Sequence, residues 1–357
     1  MDLSGRATES GIKISSLCCV LLAVAFQASV AESAPPPVTD RIWQEAVISV
    51  TDLDQSARFF REIGGYQIKW RGTPDADEIR FWGLPAAASG EAMLLGPESS
   101  TAGLIRLIRF DNAGRKQPTR PGARAWDTGC YFSLMVRMKN LQSIYDDAIA
   151  MGWWTETPIS YLEFGTSKLN IIIFRGPDGV QVQGYERLSP PLPAAIPPFK
   201  RFTQPFNIMQ MVRDRDAAYA FFVEVLGFDT FYKGKPYLSP EPTYMPLGIP
   251  YNLTTEVAYR AGIVYPMAGE FGRMEMIEIM GLDGRDYADR CHAPNLGILA
   301  VRFPVTRAEQ TMQTITDRGW PVASPLQRIE LAPYGKLDIF SVQTPDGAII
   351  QFYQTVR

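Results

Sequence analysis

The sequence has little histidine and little cysteine, one and four residues respectively among 357. A centre built on several imidazoles is therefore excluded, and so is a small disulfide-dense scaffold. The single His292 directly follows Cys291, and with no third partner close by it reads as an ordinary loop residue. An excess of one charge sign is also missing. The formal net charge is −3, with no basic stripe and no arginine-rich run, so nucleic-acid binding and a polybasic membrane-surface patch have no support.

Long hydrophobic runs are absent but for one. Lys13 precedes ISSLCCVLLAVAF, which is close to the ~7 to 15 residues of a signal-peptide core and short of the ~20 that a membrane span needs. Ser29-Val30-Ala31 then has the small-x-small form of a cleavage site. Residues 1–31 are read as a signal peptide, with the mature chain starting near Glu32, exported to the periplasm or beyond and left without a membrane span. A retained anchoring segment is the alternative, because Glu9 sits where a signal peptide would be basic. Lipidation is disfavoured, since Ser15-Ser16-Leu17-Cys18 lacks the small residue that such cleavage wants just before its cysteine. Cleavage would leave Cys130 and Cys291. Two thiols in an exported chain could pair, yet they do not fall at equivalent places in the internal repeat described next, which argues against it.

What the sequence does have is a globular composition, 46% hydrophobic and 11% aromatic, at a length that favours two domains over one core. It also repeats itself. KLDIFSVQTPDGAIIQFYQ, from Lys336 to Gln354, reads as strand, tight turn, strand: two apolar, β-branched-rich runs flank a Pro-Asp-Gly in which Pro presets φ and Gly accepts positive φ. KLNIIIFRGPDGVQVQGYE, from Lys168 to Glu186, matches it without a gap. The copies share a glutamine, Gln183 or Gln351, at the same place on the last strand.

Taken in order, 32–41 is a Pro- and Ala-rich flexible leader. Structure begins near Trp43 with an alternating strand, then Asp52 with Gln55 starts a helix whose apolar face includes Phe59 and Phe60 before Gly64-Gly65 stops it. The same opening returns at Asn207, with Arg213-Asp214, Phe221 and Phe222, and a stop at Gly227. Two more openings complete the set: a strand at 131–136 with a helix capped by Asn140, and a strand at 300–305 with a capping box of Thr306 and Glu309. Each helix is followed by short strand-like runs. The pattern is α+β, four βαβββ modules in two pairs offset by 162 to 169 residues. The proline-rich 188–205 marks a linker between an N-terminal domain, 42–187, and a C-terminal domain, 206–357.

Four such modules, with Val50-Thr51-Asp52-Leu53-Asp54-Gln55-Ser56 and Phe59-Phe60 at an opening and Pro-Asp-Gly before the last strand, resemble the vicinal oxygen chelate superfamily. That superfamily includes glyoxalase I, extradiol dioxygenases, epimerases, certain lyases and bleomycin-resistance binding proteins. The resemblance implies two tandem half-barrel domains with metal ligands on the first and last strands of the modules. Those positions here hold Glu45, Tyr131, Asn207 and Ala300 on first strands, and Arg106, Gln183, Glu275 and Gln351 on last strands. None is histidine, so the resemblance comes without a recognisable metal site and without a cofactor.

Grouped by sequence half, Glu45, Arg106, Tyr131 and Gln183 form one expected set and Asn207, Glu275, Ala300 and Gln351 the other. In the first, an arginine beside a glutamate makes either an anion clamp and acid-base site or an ion pair plugging a vestigial pocket. In the second, a glutamate with no cationic partner in an apolar cup would have a raised pKa suited to proton transfer, or would be held by the amides of Asn207 and Gln351. The resulting expectation is an apolar or aromatic small molecule as partner. Glu275, Glu45 and Tyr131 are the candidate catalytic groups, and Asn207, Gln351, Arg106 and Gln183 the candidate binding groups. The activity expected is a metal-independent lyase or isomerase; the rival is a non-catalytic sequestering protein of bleomycin-resistance type. A metal-dependent dioxygenase or glyoxalase requires ligands that the sequence does not supply.

Overall fold

The first and last strands of each module lie side by side and parallel, so every module closes on itself within one sheet. The structure is a computed structural model that describes residues 35–122 and 124–356. The signal-peptide reading of 1–31 lies outside the described residues. Among the described residues no helix is long and apolar enough to cross a membrane.

The first module contains β1 (Glu45–Ser49), α1 (Leu53–Arg58) running on as a π-helical turn (Phe59–Ile63), β2 (Gln67–Gly72), α2 (Ala76–Phe81), β3 (Ser89–Gly96) and β4 (Leu104–Asp111). The second contains β5 (Tyr131–Met138), α3 (Leu141–Ala150), β6 (Trp154–Thr155), β7 (Ser160–Phe164), β8 (Ser167–Arg175) and β9 (Gln181–Ser189). The third has β10 (Phe202–Met211), α4 (Arg215–Ala220) with its own π-helical turn (Phe221–Val225), β11 (Asp229–Lys233), β12 (Ala258–Tyr265) and β13 (Arg273–Met280). The fourth has β14 (Gly297–Pro304), α5 (Ala308–Asp317), β15 (Ser324–Leu331), β16 (Gly335–Gln343) and β17 (Ile349–Thr355). The short α2 was not foreseen from the sequence.

The α1 cap forms as the sequence implies, Asp52 accepting from the Gln55 amide, and Asp214 does the same for α4. The other two helices differ. Asn140 adopts a left-handed conformation without capping α3, and no side chain of its own segment caps α5. Instead Glu186 accepts from the Leu141 amide and Gln354 from the Ala308 amide, each reaching over from the last strand of the same module.

Sheet pairing does not follow the sequence halves. β1 pairs antiparallel with β14, and β5 with β10. Among the described residues one eight-stranded sheet therefore combines the first and fourth modules, and one nine-stranded sheet the second and third. The expected grouping of cup residues within 42–187 and within 206–357 is corrected accordingly. Sequence periodicity identifies a module but not its sheet neighbour, because all four first strands present the same edge chemistry. The helices do pair within halves. Phe59 stacks on Trp153 at 4.0 Å between ring centres, and Phe221 meets Trp320 at 4.7 Å. The two Pro-Asp-Gly turns add a second tie: Asp178 accepts from the Thr51 amide and Asp346 from the Arg213 amide, each just ahead of the partner module's helix.

Two further expectations change. Residues of the 32–41 leader that are described are held: the Val38 amide donates to the Leu226 carbonyl and the buried Thr39 hydroxyl to the Pro304 carbonyl. The linker is shorter than 188–205, since β9 runs to Ser189 and β10 begins at Phe202.

The chain passes between the sheets through 112–130 and again through 281–296, and these crossovers lie against each other with bridges at Pro118–Leu296 and Thr128–Asp286. Contact is so close that a Cβ on Gly129, at φ +91°, would stand 2.4 Å from the Ala288 nitrogen. Cys130 and Cys291 form a disulfide here, against the argument from non-equivalent positions. That argument fails for a physical reason: across an approximate two-fold, equivalent residues meet only on the axis, and elsewhere each residue meets a different one.

Candidate functional site

The two sheets have different contents on their concave sides. In the sheet of the first and fourth modules, Glu45 on β1 is fully buried and accepts from Arg106 Nε on β4 at 2.7 Å, from Arg302 Nη1 on β14 at 2.6 Å and from the Tyr334 hydroxyl at 2.8 Å. Arg302 also donates to Gln351 Oε1 at 2.6 Å and to Glu78 Oε1 at 3.1 Å. Burial pushes the Glu45 carboxyl up, but Arg106 and then Arg302 more than offset it and hold the group below the ordinary carboxylate range. Two glutamates and two arginines thus neutralise one another in a filled interior, with Trp70 and Trp82 against the guanidiniums. This cluster fills its cup. Sequence reasoning found Glu45, Arg106 and Gln351 but missed Arg302, which faces the cluster two residues beyond Ala300, while Ala300 itself is buried in apolar core.

The sheet of the second and third modules encloses a cavity of about 970 Å³. Glu275 on β13, Asn207 on β10 and Gln183 on β9 all line it. Gln183 therefore joins the Glu275 set in place of Gln351, as the sheet pairing dictates. Asn207 Nδ2 donates to Glu275 Oε2 at 2.7 Å, and Gln183 Nε2 donates to the Tyr185 hydroxyl at 3.2 Å. The carbonyl oxygens of both amides are buried without a partner. Tyr131 turns away, giving its hydroxyl to the Ile349 carbonyl across the inter-sheet contact, and so leaves the candidate set.

Glu275 is only 6% exposed and has no ion-pair partner within 4.0 Å among the described residues. Burial raises its pKa from 4.5 to about 7; the Asn207 hydrogen bond and the more distant Arg273 only partly offset this. A carboxyl that titrates near neutrality can both take and return a proton. Burial together with the neighbouring Glu275 also pushes the Tyr185 phenol well above its usual value, and burial with Tyr237 and Glu275 pushes Tyr259 up to about 12.

Sequence reasoning overlooked the cationic part of this wall, Arg137, Arg187 and Arg273. The two-residue strand period would have shown two of them, since Arg273 stands two positions before Glu275 and Arg187 four after Gln183. The rim is aromatic, with Tyr161, Phe164, Tyr232, Tyr237 and Tyr244 exposed around the opening and Phe164 packed edge-on to Tyr232 at 5.0 Å.

The residues at the ligand positions of this cavity do not fit a divalent transition metal. One carboxylate and two amides are a weak donor set, and Asn207 turns its NH₂ toward the carboxylate that would have to bind. Among the described residues no group of three or more His, Cys, Asp or Glu could hold a metal ion.

No protein-family model and no curated protein matches the chain by sequence. Solved structures do match. A glutamate-to-glutamine variant of glyoxalase I from Zea mays is 14% identical, with a TM-score of 0.58 over 88% of this chain and 94% of that one. A putative dioxygenase from Bacillus subtilis is 10% identical, with a TM-score of 0.51 over 89% and 87%. Identities this low carry the architecture alone, and that architecture, four βαβββ modules curled into two half-barrels in one chain, is the fold of the vicinal oxygen chelate superfamily.

Proposed function

We propose that the cavity of the second and third modules takes up an apolar, aromatic small molecule and that Glu275 moves a proton on it without a metal, as a lyase or isomerase does. One observation carries the reading: a buried carboxyl in the cavity wall, hydrogen-bonded by a neutral amide and raised to about 7. The unpartnered oxygens of Asn207 and Gln183 are acceptors available to a substrate O–H or N–H, and the aromatic rim supplies the apolar contact. Glu275→Gln keeps shape and hydrogen bonding while removing the titration. It should lower turnover of a substrate by about 10²- to 10⁴-fold and leave its binding nearly unchanged. Full turnover in the variant would remove Glu275 from the mechanism.

A non-catalytic sequestering role is favoured by a different feature. Tyr185 and Tyr259, the wall phenols whose pKa Glu275 helps to raise, are pushed away from neutrality, so neither readily gives up a proton to serve as a partner base. Depletion of a ligand that stops at one molecule per chain would establish that reading; consumption beyond one molecule would refute it. Export is part of the proposal as well, supported by the Cys130–Cys291 disulfide, a bond at home in an oxidising compartment. Mass spectrometry of the exported protein should find an N-terminus near Glu32, and an intact Met1 would refute cleavage.

A further inference from the structure

We propose that the cavity selects amphipathic anions: an aromatic or alicyclic carboxylic acid whose carboxylate is held by Arg137, Arg187 and Arg273 and whose ring lies along the aromatic wall. This rests on the reading of the cavity as a small-molecule site and narrows it to a class of ligand.

The three arginines come from the strands that carry the polar groups of the site. Arg273 precedes Glu275 by two residues on β13, Arg187 follows Gln183 by four on β9, and Arg137 lies near the end of β5. All three line the cavity, with the Arg137 side chain 7% exposed and that of Arg273 11%. Their charge is under-compensated. Glu270 serves two of them, at 2.7 Å to Arg137 and 3.6 Å to Arg273. Buried nitrogens remain without hydrogen-bond partners on each: Arg137 Nη1, Arg187 Nε and Arg273 Nε. Unpaired guanidinium N–H groups away from water are costly, and an oxyanion is the ligand that satisfies them. Burial and the mutual repulsion of these arginines pull Arg137 down to about 10 despite Glu270.

The remaining charged groups of the lining do not supply the missing anion. Glu163, Lys235 and Glu241 are exposed at the rim, and Glu163 accepts from the Tyr161 hydroxyl. Even when Glu270 and Glu275 are each counted as a full negative charge, the three arginines exceed them by one, a charge that a monoanion neutralises. Geometry favours a planar one. The face of Arg137 lies over Phe206 at 4.1 Å and that of Arg273 over Phe231 at 3.9 Å, leaving the N–H edges, which match a carboxylate in the guanidinium plane. Two residues on one strand face are about 7 Å apart, so a carboxylate at Arg273 brings its neighbouring atoms alongside Glu275.

Calorimetry on the full chain tests this with 2-naphthoate, its neutral isostere 2-naphthamide, and 2-naphthyl phosphate. 2-Naphthoate should bind at least about tenfold tighter than the amide and tighter than the phosphate. Arg187→Gln should reduce 2-naphthoate to the affinity of the amide. Glu270→Gln, which removes the competing carboxylate, should tighten 2-naphthoate several-fold and leave 2-naphthamide unchanged, a gain that a misfolded variant cannot give. Equal binding of acid and amide, tighter binding of the phosphate, or no gain in Glu270→Gln would overturn the carboxylate assignment while leaving an apolar cup in place. If neither the acid nor the amide binds, the small-molecule reading of the cavity falls with it.

Discussion

Glu45 and Glu275 are both buried glutamates on inner strands, and their surroundings drive them in opposite directions. For Glu275 the folded pKa lies above the ordinary value, so its contribution to stability is fully present below about 4.5 and is lost as pH rises toward about 7. A shift of that size corresponds to a loss on the order of 3 kcal/mol. Urea denaturation at pH 5 and pH 8 should therefore show the protein less stable at the higher pH, with Glu275→Gln flattening the difference; an unchanged slope in the variant would assign the pH dependence elsewhere. Glu45 is depressed by Arg106 and Arg302, so its stabilisation is present above the ordinary carboxylate range and lost as pH falls through its folded pKa. Arg302→Met removes the guanidinium that joins Glu45, Glu78 and Gln351 and leaves two buried carboxylates short of a partner. A destabilisation of about 3 to 5 kcal/mol is expected from denaturant midpoints. If the variant loses less than 1 kcal/mol, the cluster is not what holds that cup closed.

At the scale of elements, the four helices that open the modules are anchored in two ways that alternate along the chain. α1 and α4 are capped by their own Asp52 and Asp214, whereas α3 and α5 borrow Glu186 and Gln354 from the last strand of the module. Glu186 and Gln354 stand 168 residues apart, the offset of the strand-turn-strand repeat that contains them. The borrowed caps fasten helix to sheet. Gln354→Ala should cost about 1 kcal/mol, read as a lower melting temperature, with the loss confined to α5 amides in hydrogen exchange. Loss of protection spread evenly over the molecule would mean that the cap is not a local fastening.

Across the whole molecule, sheets join modules from different halves while helices and Pro-Asp-Gly turns join modules within a half. Neither half is then complete without the other. The Cys130–Cys291 disulfide sits where the two crossovers meet and closes a loop with a sequence separation of 161. In the chain-entropy picture a loop of that size stabilises by up to about 5 kcal/mol. Cys130→Ala with Cys291→Ala should lower the denaturation midpoint as a single cooperative transition. Independent melting of two halves in the double variant would show that the sheets do not bind the halves into one unit.

The sequence by itself determined the modules and their repeat. Strand and helix periods, Asp52 with Gln55, and the two Pro-Asp-Gly turns are local signals, set by residues within a few positions of one another. It also determined that a neutral amide, Asn207, would stand beside Glu275, because parallel neighbours such as β10 and β13 belong to one module. What only the tertiary structure decided was the company kept between modules: Gln183 beside Glu275, Arg302 beside Glu45, Cys130 on Cys291, and Tyr131 spent on a backbone carbonyl. Those pairings hang on which first strands meet, β1 with β14 and β5 with β10. Four modules of one pattern encode that choice in packing summed over whole faces, so no single residue or spacing in the chain displays it.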